Sequence, residues 1–215
     1  MATLQEEAKL YGQGYRLIAG LDEAGRGCWA GPVVAGAVIL PLDAQDLAES
    51  LSGVHDSKQL LPAEREHLYP LICRVALSVG VGLVPPRDID RLGIVLATRA
   101  AMAQAVAALA LRPDFLLIDF LELPQVEIPQ KGIAKGDALS LSIAAASIVA
   151  KVFRDRVMAV LERDYPGYGF ARHKGYGTPE HRAMLARLGP CPIHRFSYSP
   201  VAAARDAFLT LPQVF

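Results

Sequence analysis

Arg16-Leu17-Ile18-Ala19-Gly20-Leu21-Asp22-Glu23-Ala24-Gly25-Arg26-Gly27 carries an apolar run straight into two adjacent acids and a glycine-flanked arginine. After Cys28-Trp29-Ala30-Gly31-Pro32, a second apolar run covers residues 33–40. The two runs read as β-strands joined by a turn. Neighbouring side chains on a strand point to opposite faces, so Asp22 and Glu23 share one site only where the strand ends or bends. Gly25 and Gly27 supply that freedom and let backbone amides come close to a ligand. An acid pair at a strand end suits a hard divalent cation, which takes oxygen ligands. The same pattern also fits a polar turn that merely closes a β-hairpin.

Outward from this segment, Phe115-Leu116-Leu117-Ile118 runs into Asp119 after an Arg112-Pro113-Asp114 turn. It predicts a buried strand parallel to its neighbours, ending where open α/β sheets place their ligands. Asp119 could equally begin a turn. Residues 75–84, rich in valine, predict a third strand, stopped by Pro85-Pro86, with Asp88 or Asp90 expected to cap the next element. A helix is predicted from Pro62, whose first turn carries proline and acids. Alanine and leucine predict another over 97–111. A long helix follows over 140–163, with Leu141, Ile148, Val152, Phe153 and Val157 on its buried stripe. Shorter helices are predicted over 179–188 and 200–209. Asp137 stands just before the long helix, where capping alone would justify it.

At 215 residues and 52% hydrophobic, the chain predicts one compact α/β domain with a full core. The most apolar stretch, 94–111, is interrupted by Arg99 and falls short of a membrane span. Residues 1–13 are polar and lack a signal-peptide core. Three scattered cysteines, an odd number, predict reduced thiols and a cytoplasmic location. Net charge is zero but unevenly spread: ten Lys/Arg face five Asp/Glu from Lys151 onward, against twelve and seventeen before it. A basic part beside an acidic one suits a polyanion held next to bound cations, although a solvated mixed-charge surface fits as well. Between Tyr165 and Thr178, glycines and tyrosines surround Arg172-His173-Lys174. Cations for phosphates and flat rings for bases or sugars are what a nucleic-acid surface needs; a loop of turn formers is the plainer alternative.

Asp22, Glu23, Asp119 and, less directly, Asp137 therefore form the acidic candidates, without a His/Cys cage. Several carboxylates beside a phosphate-binding surface fit two-metal phosphodiester hydrolysis, with cations roughly 3.5–4 Å apart. Mg²⁺ is the expected ion and Mn²⁺ an alternative on the same oxygens.

The chain resembles the bacterial ribonuclease HII family, the type 2 ribonucleases H. The segments that carry the likeness are residues 19–27, 31–35, Asp56-Ser57-Lys58, Leu117-Ile118-Asp119, Lys135-Gly136-Asp137, 142–151, 165–178, Gly189-Pro190 and His194-Arg195. The resemblance implies an RNase H-like fold, a mixed sheet flanked by helices. It places the core at about 15–165 and a helical C-terminal substrate-binding part at about 166–215. It implies cleavage of the RNA strand of RNA–DNA hybrids and 5′ of single ribonucleotides in duplex DNA, leaving 5′-phosphate and 3′-hydroxyl ends. Asp22, Glu23, Asp119 and Asp137 match the family's metal-binding acids. Gly25-Arg26-Gly27 matches its 2′-hydroxyl-contacting loop, and Tyr176 the tyrosine packed on the following deoxyribose. Lys58, His173, Lys174 and Arg195 are expected as phosphate contacts or supports of the site. Phe120, where the family commonly has glycine, Leu139 and Phe196 depart from its pattern. A monomer is expected, and residues 211–215 read as a frayed end, with docking on a sliding clamp the weaker alternative. Rival readings are ribonuclease HIII, which lacks the Gly-Arg-Gly loop, a DNA nuclease of the same fold, and a non-catalytic nucleic-acid-binding module.

Overall fold

The computed structural model describes residues 2–210. Helix α1 (Gln5–Gly12) precedes strands β1 (Ile18–Ala24) and β2 (Val33–Ile39). Helices α2 (Leu47–Ser50) and α3 (Pro62–Val75) lead to β3 (Ser78–Val84), and α4 (Pro86–Leu92) and α5 (Ile94–Ala107) lead to β4 (Phe115–Asp119). After β5 (Gln130–Ile133), a 3-10 turn at Gly136–Ala138 runs into the long helix α6 (Leu141–Asp164). Helices α7 (Phe170–His173), α8 (Pro179–Leu188) and α9 (Ser199–Thr210) follow. The strands form one mixed sheet in the order β3-β2-β1-β4-β5. β1 lies at its centre, antiparallel to β2 and parallel to β4. Residues 25–32 connect an antiparallel pair, as a hairpin turn would; β1 stays paired with β2 through Ala24, so Asp22 and Glu23 lie within the strand, just past the point where pairing with β4 gives out after Leu21↔Ile118.

Strand alternation sorts the core into two layers. Ala19, Leu21, Ala35, Ala37, Leu116 and Ile118 pack against Ala97, Ala101, Met102 and Ala105 of α5. On the other face, Ile18 and Leu117 meet Ile143 of α6, while Val38 joins Ala145, Ile148 and Val149. α6 sits so close that a Cβ on Gly20 would come within 2.1 Å of the Ser142 carbonyl carbon. Gly20→Ala is expected to destabilise the fold by about 1–3 kcal/mol, the usual cost of overpacking. A lowered denaturation midpoint reads this effect, and an unchanged one contradicts the close approach.

Several boundaries differ from the sequence pattern. α3 continues through Val75, so the third strand begins only at Ser78. α5 starts at Ile94 and ends at Ala107, earlier at both ends than its alanines suggest. Neither Asp88 nor Asp90 caps a helix: Asp88 lies in the first turn of α4, and Asp90 accepts the Phe196 and Ser197 amides. Asp137 does not cap α6 either, because Ser140 does so by accepting the Ile143 amide. Helix α1 and the edge strand β5 are additions to the predicted elements. α1 is pinned through Glu7, whose buried carboxylate accepts from the Ser140 hydroxyl and from the Ser142 amide and hydroxyl. Thr3 adds backbone bonds to Leu139 and Leu141. Among the described residues no helix is long and apolar enough to cross a membrane. Residues 211–215, the candidate clamp-docking tail, lie outside the described residues.

Candidate active site

Three separate elements deliver the acids to one place. Asp22 leaves β1 on the face that carries Ile18 and Gly20, and Asp119 leaves the end of β4 on the same face. Asp137 comes from the 3-10 turn that precedes α6. One carboxylate oxygen from each lies within 4.8 Å of the other two. Backbone amides fix two of them: Glu23 N donates to Asp22 Oδ1 at 2.6 Å, and Gly136 N to Asp119 Oδ1 at 2.7 Å. Lys58 Nζ donates to Asp137 Oδ2 at 3.1 Å. Alternation sends Glu23 to the opposite side of β1. Its carboxylate lies outside the group of three and accepts from Arg26 Nη1 at 3.1 Å.

Gathering these charges is costly. Burial, reinforced by the charges of Glu23 and Asp119, holds Asp22 well above the ordinary carboxylate range. Burial also raises Glu23 against the pull of Arg26, and Asp119 against the Gly136 amide. Burial opposes the Lys58 ammonium, yet Asp22, Asp137 and Asp56 together raise it above its usual value. Asp22 Oδ2 and Glu23 Oε2 are buried without any hydrogen-bond partner. Buried, unpaired anionic oxygens demand compensation, and an all-oxygen donor set fits a hard divalent cation. The carboxylate cluster is able to hold metal.

The loop after β1 is shaped from behind by Arg195. This side chain is fully buried and spends all its donors: Nε and Nη2 on Gly31 O, Nη2 on Gly25 O, and Nη1 on Arg26 O and the Tyr198 hydroxyl. Tyr198 in turn donates to Arg26 O at 2.7 Å. Carbonyl and N–H of one trans peptide point in opposite directions. Holding the Gly25 and Arg26 carbonyls therefore turns the Arg26 and Gly27 amides outward. Gly25 takes φ +94°, a conformation that favours glycine. A second buried arginine, Arg154, bonds Pro32 O, Ala30 O and Lys174 O, tying this loop to the Gly/Tyr-rich segment.

In that segment Tyr176 is 40% exposed, with its ring 5.4 Å from Lys151 Nζ and 5.8 Å from Arg154 Cζ. Lys174, with φ +52°, reaches the Asp155 carbonyl. His173 is buried, accepting the Gly175 amide at Nδ1 and bonding Tyr168 O through Nε2. Of the two roles expected for His173 and Arg195, phosphate contact or support of the site, their buried positions and internal partners fit support. Phe120, where the family commonly has glycine, itself adopts φ +61°, the left-handed conformation that favours glycine. Sequence reasoning passed over Arg154, Tyr198 and Glu7. Arginines with only carbonyl partners and a glutamate buried under a helix start leave no local pattern to find.

Comparison with known proteins agrees with this geometry. The ribonuclease HII family model matches residues 19–201. The ribonuclease HII of Dehalococcoides mccartyi is 55% identical over 201 residues, 94% of either chain. That of Chloroflexus aurantiacus is 52% identical over 213 residues, 99% of either chain. The crystal structure of ribonuclease H2 from Pyrococcus horikoshii superposes with a TM-score of 0.71 at 26% identity, covering 90% of this chain and 99% of that one. A three-element carboxylate cluster, a Gly-Arg-Gly loop gripped from behind and this degree of likeness over nearly the whole length lead to one assignment: the chain belongs to the ribonuclease HII family.

Proposed function

We propose that the chain incises duplex DNA 5′ of embedded ribonucleotides and cuts the RNA strand of RNA–DNA hybrids, leaving 5′-phosphate and 3′-hydroxyl ends. The observation that carries this reading is the position of the Asp22, Asp119 and Asp137 carboxylates beside the Gly25-Arg26-Gly27 loop. Asp22, Asp119 and Asp137 would hold Mg²⁺ or Mn²⁺, with the unpaired Glu23 Oε2 as the fourth donor. Such ions, when bound, activate water and stabilise the leaving oxygen of a phosphodiester. The chain's own residues do the positioning. The Arg26 and Gly27 amides, turned outward, would meet a ribose 2′-hydroxyl, the group that separates RNA from DNA. Tyr176 would pack on the next sugar, where an added hydroxyl would disturb the fit. Lys58, Arg26 and Lys174 would supply the cations for nearby phosphates, and residues 166–215 are read as the part that holds the duplex.

A DNA duplex with one ribonucleotide, assayed with and without Mg²⁺, tests this. Metal-dependent incision 5′ of the ribonucleotide supports the reading, and equal cutting of all-DNA duplex refutes it. Tyr176→Ala is expected to reduce cleavage at single ribonucleotides by about tenfold, the scale of a lost stacking contact, with a much smaller loss on continuous hybrids. Equal losses on both substrates would remove Tyr176 from the sugar-reading role.

A further inference from the structure

Behind the Tyr176 loop lies a cluster of buried imidazoles that neither metal holding nor phosphate contact uses. His181 Nδ1 is 2.9 Å from Tyr176 O, and His181 Nε2 is 3.0 Å from His194 Nε2. His194 Nδ1 accepts the Cys191 amide at 2.9 Å. His173 stacks on His181 with ring centroids 4.4 Å apart and holds the Gly175 amide. Both His181 and His194 are fully buried.

His194 Nδ1 also lies 3.2 Å from the Cys191 carbonyl and thiol, but the shorter bond from the Cys191 amide at one end and the Tyr176 carbonyl at the other favour one arrangement of protons. A carbonyl only accepts, so His181 must carry its proton on Nδ1, facing Tyr176. Its Nε2 is then an acceptor, so His194 must carry its proton on Nε2. That leaves His194 Nδ1 as an acceptor, which is what the Cys191 N–H at the far end requires. Reversing either ring sets lone pair against lone pair or hydrogen against hydrogen. His173 obeys the same logic, accepting from Gly175 at Nδ1 and donating to Tyr168 O from Nε2.

We infer that His181 and His194 form a directed hydrogen-bond relay, anchored on the Cys191 amide, that fixes the Tyr176 backbone and thereby the sugar-reading ring. Both are positioning residues, and the role rests on the proposal that Tyr176 packs on the sugar. Burial pushes His181 and His194 down to about 4, which keeps both neutral and the relay intact at neutral pH. The groups facing the pair are Glu180 and His173 beside His181 and the Cys191 thiol beside His194. Burial pushes that thiol up to about 11, so it stays protonated.

Two side-chain amides separate the relay from simple packing. Asn places its amide near imidazole Nδ1 and Gln places its amide near Nε2. His181→Asn keeps a donor toward Tyr176 O and is expected to retain the preference for a single ribonucleotide over a continuous hybrid. His181→Gln loses that donor, leaving Tyr176 O with the Thr178 amide alone, and is expected to lower the preference by about tenfold, the scale of one lost hydrogen bond. Equal preferences in the two variants would overturn the relay. Nitrogen-15 imidazole spectra of the wild-type protein answer independently of folding defects. The relay requires His181 as the Nδ1–H tautomer and His194 as the Nε2–H tautomer at pH 7, and any other pair refutes it. If Tyr176→Ala leaves the preference untouched while the tautomers stand as stated, the relay survives and the sugar-reading role falls.

Discussion

Asp22→Asn is expected to lower kcat on a ribonucleotide-containing duplex by at least about a thousandfold, because a metal site contributes several kcal/mol of transition-state stabilisation. Duplex binding should be largely retained, since Lys58, Arg26 and Lys174, the cations proposed to meet phosphates, are untouched. Stability should move the other way. Asp22 binds its proton more tightly folded than unfolded, because burial and then Glu23 and Asp119 raise its carboxyl. Its contribution to stability is therefore complete below the ordinary carboxylate value and is lost as pH rises through the raised folded value. In metal-free protein the variant should melt above the wild type, by a margin that grows as pH rises from the ordinary carboxylate range through the raised folded value. Mg²⁺ should raise the wild-type melting temperature more than that of the variant, since ligand binding to the folded state stabilises it. Retained cleavage in Asp22→Asn would remove this carboxylate from the chemistry.

Arg195→Met should have the largest structural effect. The substitution leaves the Gly25, Arg26 and Gly31 carbonyls without their charged donor. Gly31 O then loses every partner, while Arg26 O keeps the Tyr198 hydroxyl and Gly25 O only the long bond from the Cys28 amide; one unsatisfied buried oxygen together with the lost charge-assisted bonds costs about 3 kcal/mol. For a domain of this size that corresponds to a fall in melting temperature of roughly 6–12 °C. The Arg26 and Gly27 amides would also lose their imposed direction, so cleavage at single ribonucleotides should fall further than the stability loss explains. Arg195→Lys should not rescue, because a point-charged ammonium cannot reproduce the planar fork. Tyr198→Phe removes the bond to Arg26 O and the one accepted from Arg195 Nη1, and should show a smaller version of both effects. Full activity and unchanged melting in Arg195→Met would show that the loop holds its own shape.

Much of the central sheet was readable because β1, β2 and β4 are continuous apolar runs closed by glycine, proline or an acid. The strand ends also marked Asp22 and Asp119, since a carboxylate directly after a buried run has few structural reasons to be there. Asp137 was harder, because a residue just before a long helix fits capping equally well. Only the Ser140 cap observed in the structure separates the two. Gln130-Lys131-Gly132-Ile133 escaped notice as an edge strand with one buried side chain. Its pairing comes from β4, not from its own pattern. α1 was invisible for a similar reason: apart from Leu10, its buried contact is a glutamate. His173 and Arg195 sit in basic, aromatic surroundings that read as surface from sequence, and only burial distinguishes a support from a contact.

The seating of Glu7 carries a practical consequence for where the enzyme can be trimmed. Apolar patterning begins near Tyr15, which makes that residue an inviting place to open a minimal fragment. Such a cut would strip the carboxylate from Ser142 at the mouth of a 24-residue helix. It would also release Leu139 and Leu141 from Thr3, within a few residues of Asp137. A shortened enzyme should therefore keep its boundary upstream of Thr3, or it will loosen one corner of its own catalytic centre.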